Sequence, residues 1–352
     1  RGNMFRKFIG EKYFCGLDIG PQTIKAGIIE PKEGRQFELH GVYEVKTEGF
    51  EGGSVTDMGE LAAAIHDVLT GLSKNSRIKI KAVQLGMGGE IVRKRLGNAA
   101  MPLLDRGTRI ISKKDVAKVQ EHARLLGIKM DEILLQDFPQ IYKVDDVNRA
   151  LNPVGLYGRK LEAETLVAVV NSTIFKNLVK AVNQAGYDVE NVFFTTHAAA
   201  RTALDHFQKK QGCIFVDVSS FVTDIALFQS GEIRFLDSIP LGGQDMTRAV
   251  STALNVSVDM AEDIKRSYAV VRHRHSAADE EILIKAEDGY LPVKKGVITA
   301  SIEPVVSDLV NMLRASLKRS GAVDCPAAGM VMAGGGALLS GLAERLEEDL
   351  GM

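Results

Sequence analysis

The sequence predicts an α/β protein made of two related lobes. A strand ending in aspartate, a tight turn and a returning strand, Tyr13–Asp18 with Ile24–Glu30, recur as Cys213–Asp217 with Asp224–Phe228, about 200 residues later, the mark of an internal duplication. Around these units, strand-like runs alternate with segments whose apolar residues fall at helical spacing. At 352 residues, with 45% hydrophobic and 25% charged side chains, the chain is long enough for two cores and too apolar to stay disordered.

The first hairpin turns at Gly20, Pro21 and Gln22, residues that favour reversal of the chain. Helical periodicity over Leu61–Leu72 is followed by a strand-like run, Lys79–Met87, that ends near Gly86, Gly88 and Gly89. Ser112 is a natural N-cap for a helix reaching Leu126, and Gly127 a natural stop. That helix sits among strands in an inserted segment running from about Ile80 to Leu166. Thr165–Val170 predicts a strand, Ser172–Ala185 an amphipathic helix stopped by Gly186, and Val192–Thr195 a further strand.

After the second hairpin, Gly231 and Glu232 lead into a strand over Ile233–Ile239. Helices are expected from Leu241 onward and over Asp259–Tyr268, then an exposed polar loop over His273–Glu280. Ile298–Arg319 predicts a long helix, Gly329–Ala333 a short strand, and Gly334, Gly335 and Gly336 a passage into a closing helix over Leu338–Asp349.

Composition removes several function classes. With 44 basic and 45 acidic residues the formal net charge is -1, so overall charge draws the chain neither to nucleic acid nor to an anionic membrane. No uninterrupted apolar run approaches the roughly 20 residues that cross a bilayer, and no signal-peptide core precedes Cys15, so a cytoplasmic protein is expected. Cys15, Cys213 and Cys325 are scattered without metal-ligand spacing, and the first two sit in apolar runs as reduced core thiols.

The chemistry lies in the turns. In Asp18-Ile-Gly-Pro-Gln-Thr-Ile-Lys25, Gly20 permits close backbone approach, amides can face phosphate oxygens, and Lys25 supplies charge. Mg²⁺ keeps most of its waters and needs only one or two carboxylates, so Asp18 and Asp217 would suffice for it. Gly334–Gly336, between a strand and a helix, offers bare backbone near a helix dipole. Read singly, an ordinary hairpin accounts equally well for the first motif and a plain connection for the second. Their order, with Glu262 and Lys265 between them, specifies a phosphate clamp followed by an adenosine pocket.

That order, and sequence along nearly the whole chain, resembles the actin superfamily and, within it, the bacterial cell-division FtsA family. The more specific pieces are Asn152-Pro-Val-Gly155 with Gly158 and Leu161-Glu162, the stretch Pro139 to Asp145, Ser238-Ile-Pro-Leu-Gly-Gly243, and Ala261-Glu-Asp-Ile-Lys265. The resemblance implies an actin-like two-lobe fold of duplicated, ribonuclease-H-like domains with an FtsA-type insert. Residues 1–79 and 167–211 would form one core, 80–166 the inserted subdomain, 212–243 and 301–352 the second core, and 244–300 an outer subdomain. It implies ATP with Mg²⁺ as ligand. Gly20, Thr23, Lys25, Ser219 and Ser220 would hold phosphate, Glu262, Lys265 and Gly334–Gly336 adenosine, and Asp18 and Asp217 the metal through water.

The resemblance further implies a self-polymerising adaptor on the inner face of the cell membrane at the division site. Its partners would be the C-terminal peptide of FtsZ, met by Arg248, Arg266 and Arg272, further copies of itself, and other divisome proteins. Membrane contact would come only through a C-terminal helix beyond Met352. A related reading is a PilM-like type IV pilus protein that binds a peptide; a small-metabolite kinase of the same superfamily would need a catalytic acid that no position supplies.

Two departures stand out. The family's second phosphate loop places three glycines and a threonine after the aspartate and one apolar residue, whereas here Val218 is followed by Ser219, Ser220, Phe221 and Val222. Side chains there would crowd the amides away from phosphate, although serine hydroxyls could donate instead. The helix expected to orient an attacking water reads His197-Ala-Ala-Ala-Arg201, without the customary glutamine or glutamate, which predicts slow hydrolysis or none.

Overall fold

The computed structural model describes residues 12–33, 36–103, 107–271, 280–286, 289–321 and 327–352. The chain divides into two compact units, 1–195 and 196–352.

The first unit opens with β1 (Phe14–Ile19), β2 (Thr23–Pro31) and β3 (Phe37–Lys46), an antiparallel meander, followed by the short pair β4 (Phe50–Glu51) and β5 (Ser54–Val55). Helix α1 (Met58–Ser76) starts where the Asp57 carboxylate accepts the Gly59 and Glu60 amides at 2.7 and 2.9 Å. It buries Leu61, Ile65, Val68, Leu69 and Leu72, the stripe that the 3.6-residue period dictates. Strand β6 (Ala82–Met87) then pairs parallel to β1, with Asp18 beside Gly86.

Between β6 and the unit's last elements runs a second sheet. Its elements are β7 (Val92–Pro102), β8 (Arg109–Ile110), α2 (Lys113–Leu126), β9 (Glu132–Val144), β10 (Asn148–Ala150), β11 (Tyr157–Gly158) and β12 (Lys160–Asn171). The four-stranded order is β10-β9-β12-β7, with β8 and β11 paired separately. Ser112 caps α2 in a reciprocal box with Asp115, and Arg109 clamps the same carboxylate, donating to Oδ2 at 2.7 Å. Its core joins Ile111, Val119 and Ala123 to Tyr142, Val144 and Leu161. Helix α3 (Ser172–Gln184) and β13 (Asp188–Phe194) return the chain to the first sheet, whose order is β13-β6-β1-β2-β3. The run around residues 80–87 thus belongs to the sheet of the opening hairpin, because its parallel partner is β1.

The second unit contains α4 (Thr195–Ala203), which begins at the boundary, and α5 (His206–Gln211). Its sheet comprises β14 (Cys213–Val218), β15 (Thr223–Gln229) and β16 (Glu232–Ile239). There follow α6 (Gly243–Leu254), α7 (Val258–Tyr268), the hairpin β17 (Glu281–Ala286) and β18 (Gly289–Lys294), α8 (Lys295–Arg319), β19 (Met330–Ala333) and α9 (Leu342–Leu350). The sheet order is β16-β15-β14-β19, with β19 parallel to β14. It repeats the first unit's pattern, in which β6 lies parallel beside the meander's first strand. Helix α8 is long and apolar enough to cross a membrane by length and composition, despite the interruptions at Glu303 and Asp308. It buries Ile298, Ile302, Val306, Leu309, Leu313 and Leu317 in this unit's core.

One element lies where no expectation was made, and one local expectation differs from the structure. The hairpin β17/β18 has a signal in Asp288-Gly289, a favoured hairpin dipeptide between β-prone runs. The glycine triplet leads into a short 3₁₀ turn over Gly335–Leu338, and Gly341, in the left-handed region at φ 83°, separates that turn from α9. The part of the polar loop over 273–279 lies outside the described residues.

Candidate functional site at the duplicated turns

The two turns have the same construction. In the first, Asp18 lies opposite Lys25 and the Gly20 amide donates to the Thr23 carbonyl at 3.1 Å. In the second, Asp217 lies opposite Asp224 and the Ser219 amide donates to the Val222 carbonyl at 3.0 Å. Ser219 thus occupies the station of Gly20, and Asp224 that of Lys25.

In the first unit Asp18 is exposed at the end of β1. Lys25 reaches the other way, to Glu44 on β3 at 3.6 Å, with both side chains more than half exposed, so the pair is weak and exchangeable. The turn is anchored by Thr47, whose hydroxyl donates to the Gly20 carbonyl at 2.7 Å and whose amide donates to the Gln22 carbonyl at 2.9 Å.

In the second unit, residues far apart in sequence converge. A Cβ on Gly334 would collide with Oδ1 of Asp217 and lie 2.5 Å from the Val218 carbonyl, and one on Gly336 would strike the Val218 side chain. The glycine triplet therefore lies directly on the strand that delivers Asp217. On another side Gly242 and Gly243 abut the turn, where the Gly243 and Gln244 amides donate to the Ser219 and Ser220 carbonyls at 2.9 and 2.7 Å. Lys265 donates to the Gly243 carbonyl at 3.0 Å, to the Thr247 hydroxyl at 2.8 Å and to Oε2 of Glu262 at 2.6 Å, which occupies all three of its protons. Burial opposes ionisation of Glu262, but Lys265 and Thr247 more than compensate and hold its carboxyl below the usual glutamate range.

Sequence reasoning gave no individual role in the site to four residues that build it. Gly242 and Gly243 are read from sequence as the start of a helix and as part of the Ser238–Gly243 family motif; in the structure they are a second glycine step from strand to helix. Thr247, one turn beyond Gly243, is fully buried between the Gly243 carbonyl and Glu262. Asp224 is also buried, accepting from Thr196 at 3.0 Å and from Ser238.

The arginines assigned to a peptide partner separate. Arg248 lies with its guanidinium carbon 5.7 Å from the Phe221 ring centroid, and its Nη1 is 3.7 Å from Oδ1 of Asp245. Arg266 is exposed and donates to Oε1 of Glu262 at 2.8 Å. Arg272 lies outside the described residues. His197, on α4, is half-buried and its pKa is pushed down to about 4, chiefly by desolvation and then by Arg201 and Lys209, so it is neutral at pH 7.

Gly335 has open space where a side chain would be, and Glu262, Lys265 and Thr247 form a closed hydrogen-bonded network on the Gly243 carbonyl. The second turn does not fit as a polyphosphate cradle. Its carbonyls are bound to the start of α6, the Ser219 hydroxyl donates to Asp217 at 3.2 Å, and a phenyl ring stands in place of bare backbone.

Solved structures share this duplicated architecture. A chain of the PilM–PilN type IV pilus biogenesis complex superposes with TM-score 0.66 at 19% identity, covering 96% of this chain and 86% of that one. EutJ of Carboxydothermus hydrogenoformans gives TM-score 0.56 at 13% identity, covering 97% of this chain and 83% of that one. MreB5 of Spiroplasma citri, solved bound to ADP, gives 0.53 at 13% identity, covering 96% and 89%. The fold is that of the actin-like ATPases.

Sequence comparison narrows the class. The family model for cell division protein FtsA matches residues 214–352, and that for the SHS2 domain inserted in FtsA matches residues 97–169, the sheet that carries α2. FtsA of Pseudomonas aeruginosa is 27% identical over 339 residues, covering 96% of this chain and 81% of that protein. FtsA of Streptococcus pneumoniae is 26% identical, covering 97% and 74%, and FtsA of Escherichia coli 25%, covering 96% and 82%. The chain belongs to the FtsA family of cell-division proteins.

Proposed function

We propose that this chain is a division-site adaptor, which self-associates, captures the C-terminal peptide of FtsZ, recruits other divisome proteins and couples them to the cytoplasmic membrane. The observation that carries the reading is the SHS2-type insert on an actin-like framework, since the two family matches together span more than half of the chain. The insert, residues 97–169, would supply subunit and divisome contacts. Residues 244–300 would receive the FtsZ tail, with exposed Arg266 as a counter-charge for an acidic peptide.

An adenine nucleotide is the proposed ligand of the second unit, held by Glu262, Lys265 and the backbone of Gly334–Gly336. Its proposed role is conformational rather than catalytic: binding would favour one arrangement of the protein through differential affinity. The absence of a water-orienting carboxamide or carboxylate over His197–Arg201 supports weak turnover.

Co-sedimentation with FtsZ polymers tests the reading. The chain should pellet with full-length FtsZ and stay in the supernatant with FtsZ lacking its C-terminal peptide. Equal pelleting with both would reject the assignment, and loss of pelleting in Arg266→Glu would locate the contact.

A further inference from the structure

We propose that Phe221, held beneath Arg248, makes the second turn blind to the terminal phosphate of a nucleotide, so that the chain binds ADP and ATP with nearly equal affinity. The inference rests on the nucleotide reading above and adds a specificity to it.

An anion is gripped by a turn when amides point outward and no side chain shields them. Here the Ser219 amide is used inward on Val222, and the Ser219 and Ser220 carbonyls bind the Gly243 and Gln244 amides. The start of α6, which would otherwise attract an anion, is therefore consumed by the turn itself, and the Gly242 amide is taken by the Asp245 carboxylate at 2.9 Å. Among the described residues the left-handed non-glycine positions are Arg77, Asp145, Asp146, Ser230 and Asn255, so the turn closes without strain and has no reason to rearrange.

Phe221 completes the closure. Its ring is half-buried, and the Arg248 guanidinium lies over it at 5.7 Å. Asp245, 3.7 Å from Arg248, offsets the charge that the arginine would otherwise offer to a phosphate. Phosphate oxygens reaching this turn meet an aromatic ring and the Asp217 carboxylate, with the Ser219 amide already used inward. The nucleoside contacts, built from Glu262, Lys265 and the glycine triplet, do not depend on the turn's side chains.

Isothermal titration of the whole chain with ADP and with ATP, each with Mg²⁺, tests the proposal. The wild type should bind the two within about threefold of each other, and Phe221→Gly or the triple Ser219→Gly, Ser220→Gly, Phe221→Gly should tighten ATP about tenfold while leaving ADP unchanged. Phe221→Ala, which removes the ring without adding a glycine, is the fallback if the glycine variants lose their thermal transition, and should move ATP in the same direction. A wild-type preference for ATP of about tenfold or more overturns the inference but keeps the nucleotide reading. ATP affinity that falls in Arg248→Ala with ADP unchanged also overturns it, because Arg248 would then be a phosphate ligand. Binding of neither nucleotide by any variant rejects the nucleotide reading and the inference together.

Discussion

The hydroxyl of Thr196 donates to the buried carboxylate of Asp224 across 3.0 Å, and Ser238 donates to the other oxygen of the same group. The start of α4 is thereby pinned to the second hairpin at the strand position that Lys25 occupies in the first. Removing the carboxylate leaves two hydroxyls without their acceptor in a site where Thr196 and Asp224 are both nearly inaccessible. Asp224→Ala should cost roughly 2–4 kcal/mol in urea unfolding, while Asp224→Asn, which keeps an acceptor, should cost less.

Gly334 is at φ 83°, and a Cβ there would meet Asp217 and Val218. Gly334→Ala should lower stability by about 1–3 kcal/mol through strain and overpacking. Gly335, one residue on, has nothing within 4 Å of the place a Cβ would take and a backbone outside the left-handed region. Gly335→Ala should change the unfolding free energy by no more than about 0.5 kcal/mol, and an equal loss in both variants would contradict the packing described.

His197 has its pKa depressed from 6.5 to about 4 by burial beside Arg201 and Lys209. The unfolded chain takes up a proton near pH 6.5 while the folded chain resists it, so the stabilisation from neutral His197 is complete above that pH and is lost on descent to about pH 4. The difference is worth roughly 3 kcal/mol. In His197→Gln the fall in stability between pH 7 and pH 4.5 should be shallower than in the wild type, and superimposable profiles would exclude the burial argument.

Cys15 and Cys213 are buried thiols whose pKa values desolvation pushes up to about 12 and about 11. Neither should react with a disulfide reagent at pH 8 in the native protein, and both should label in denaturant. Peptide mapping by mass spectrometry reads this directly; native labelling of either would mean that its strand opens.

Much of this protein was legible in the sequence because local chemistry and periodicity decided it. The cap at Ser112 and the apolar stripe of α1 follow from side-chain types and a 3.6-residue period. The repeat of strand, acidic turn and strand carried the duplicated architecture, and the order of the motifs carried the family. The hairpin β17/β18 escaped although Asp288-Gly289 marks a turn, because Pro292 argues against a strand on its second side.

What the tertiary structure alone decided is which distant residues meet. Spacing along the chain does not reveal that Gly334 rests on Asp217, that Lys265 spends all its donors on Gly243, Thr247 and Glu262, or that Arg248 covers Phe221. These contacts depend on the parallel pairing of β19 with β14 and on the docking of α6 against the turn. Sequence by itself settles propensity and pattern, which are local; the availability of a donor or a bare stretch of backbone depends on what the rest of the fold packs against it.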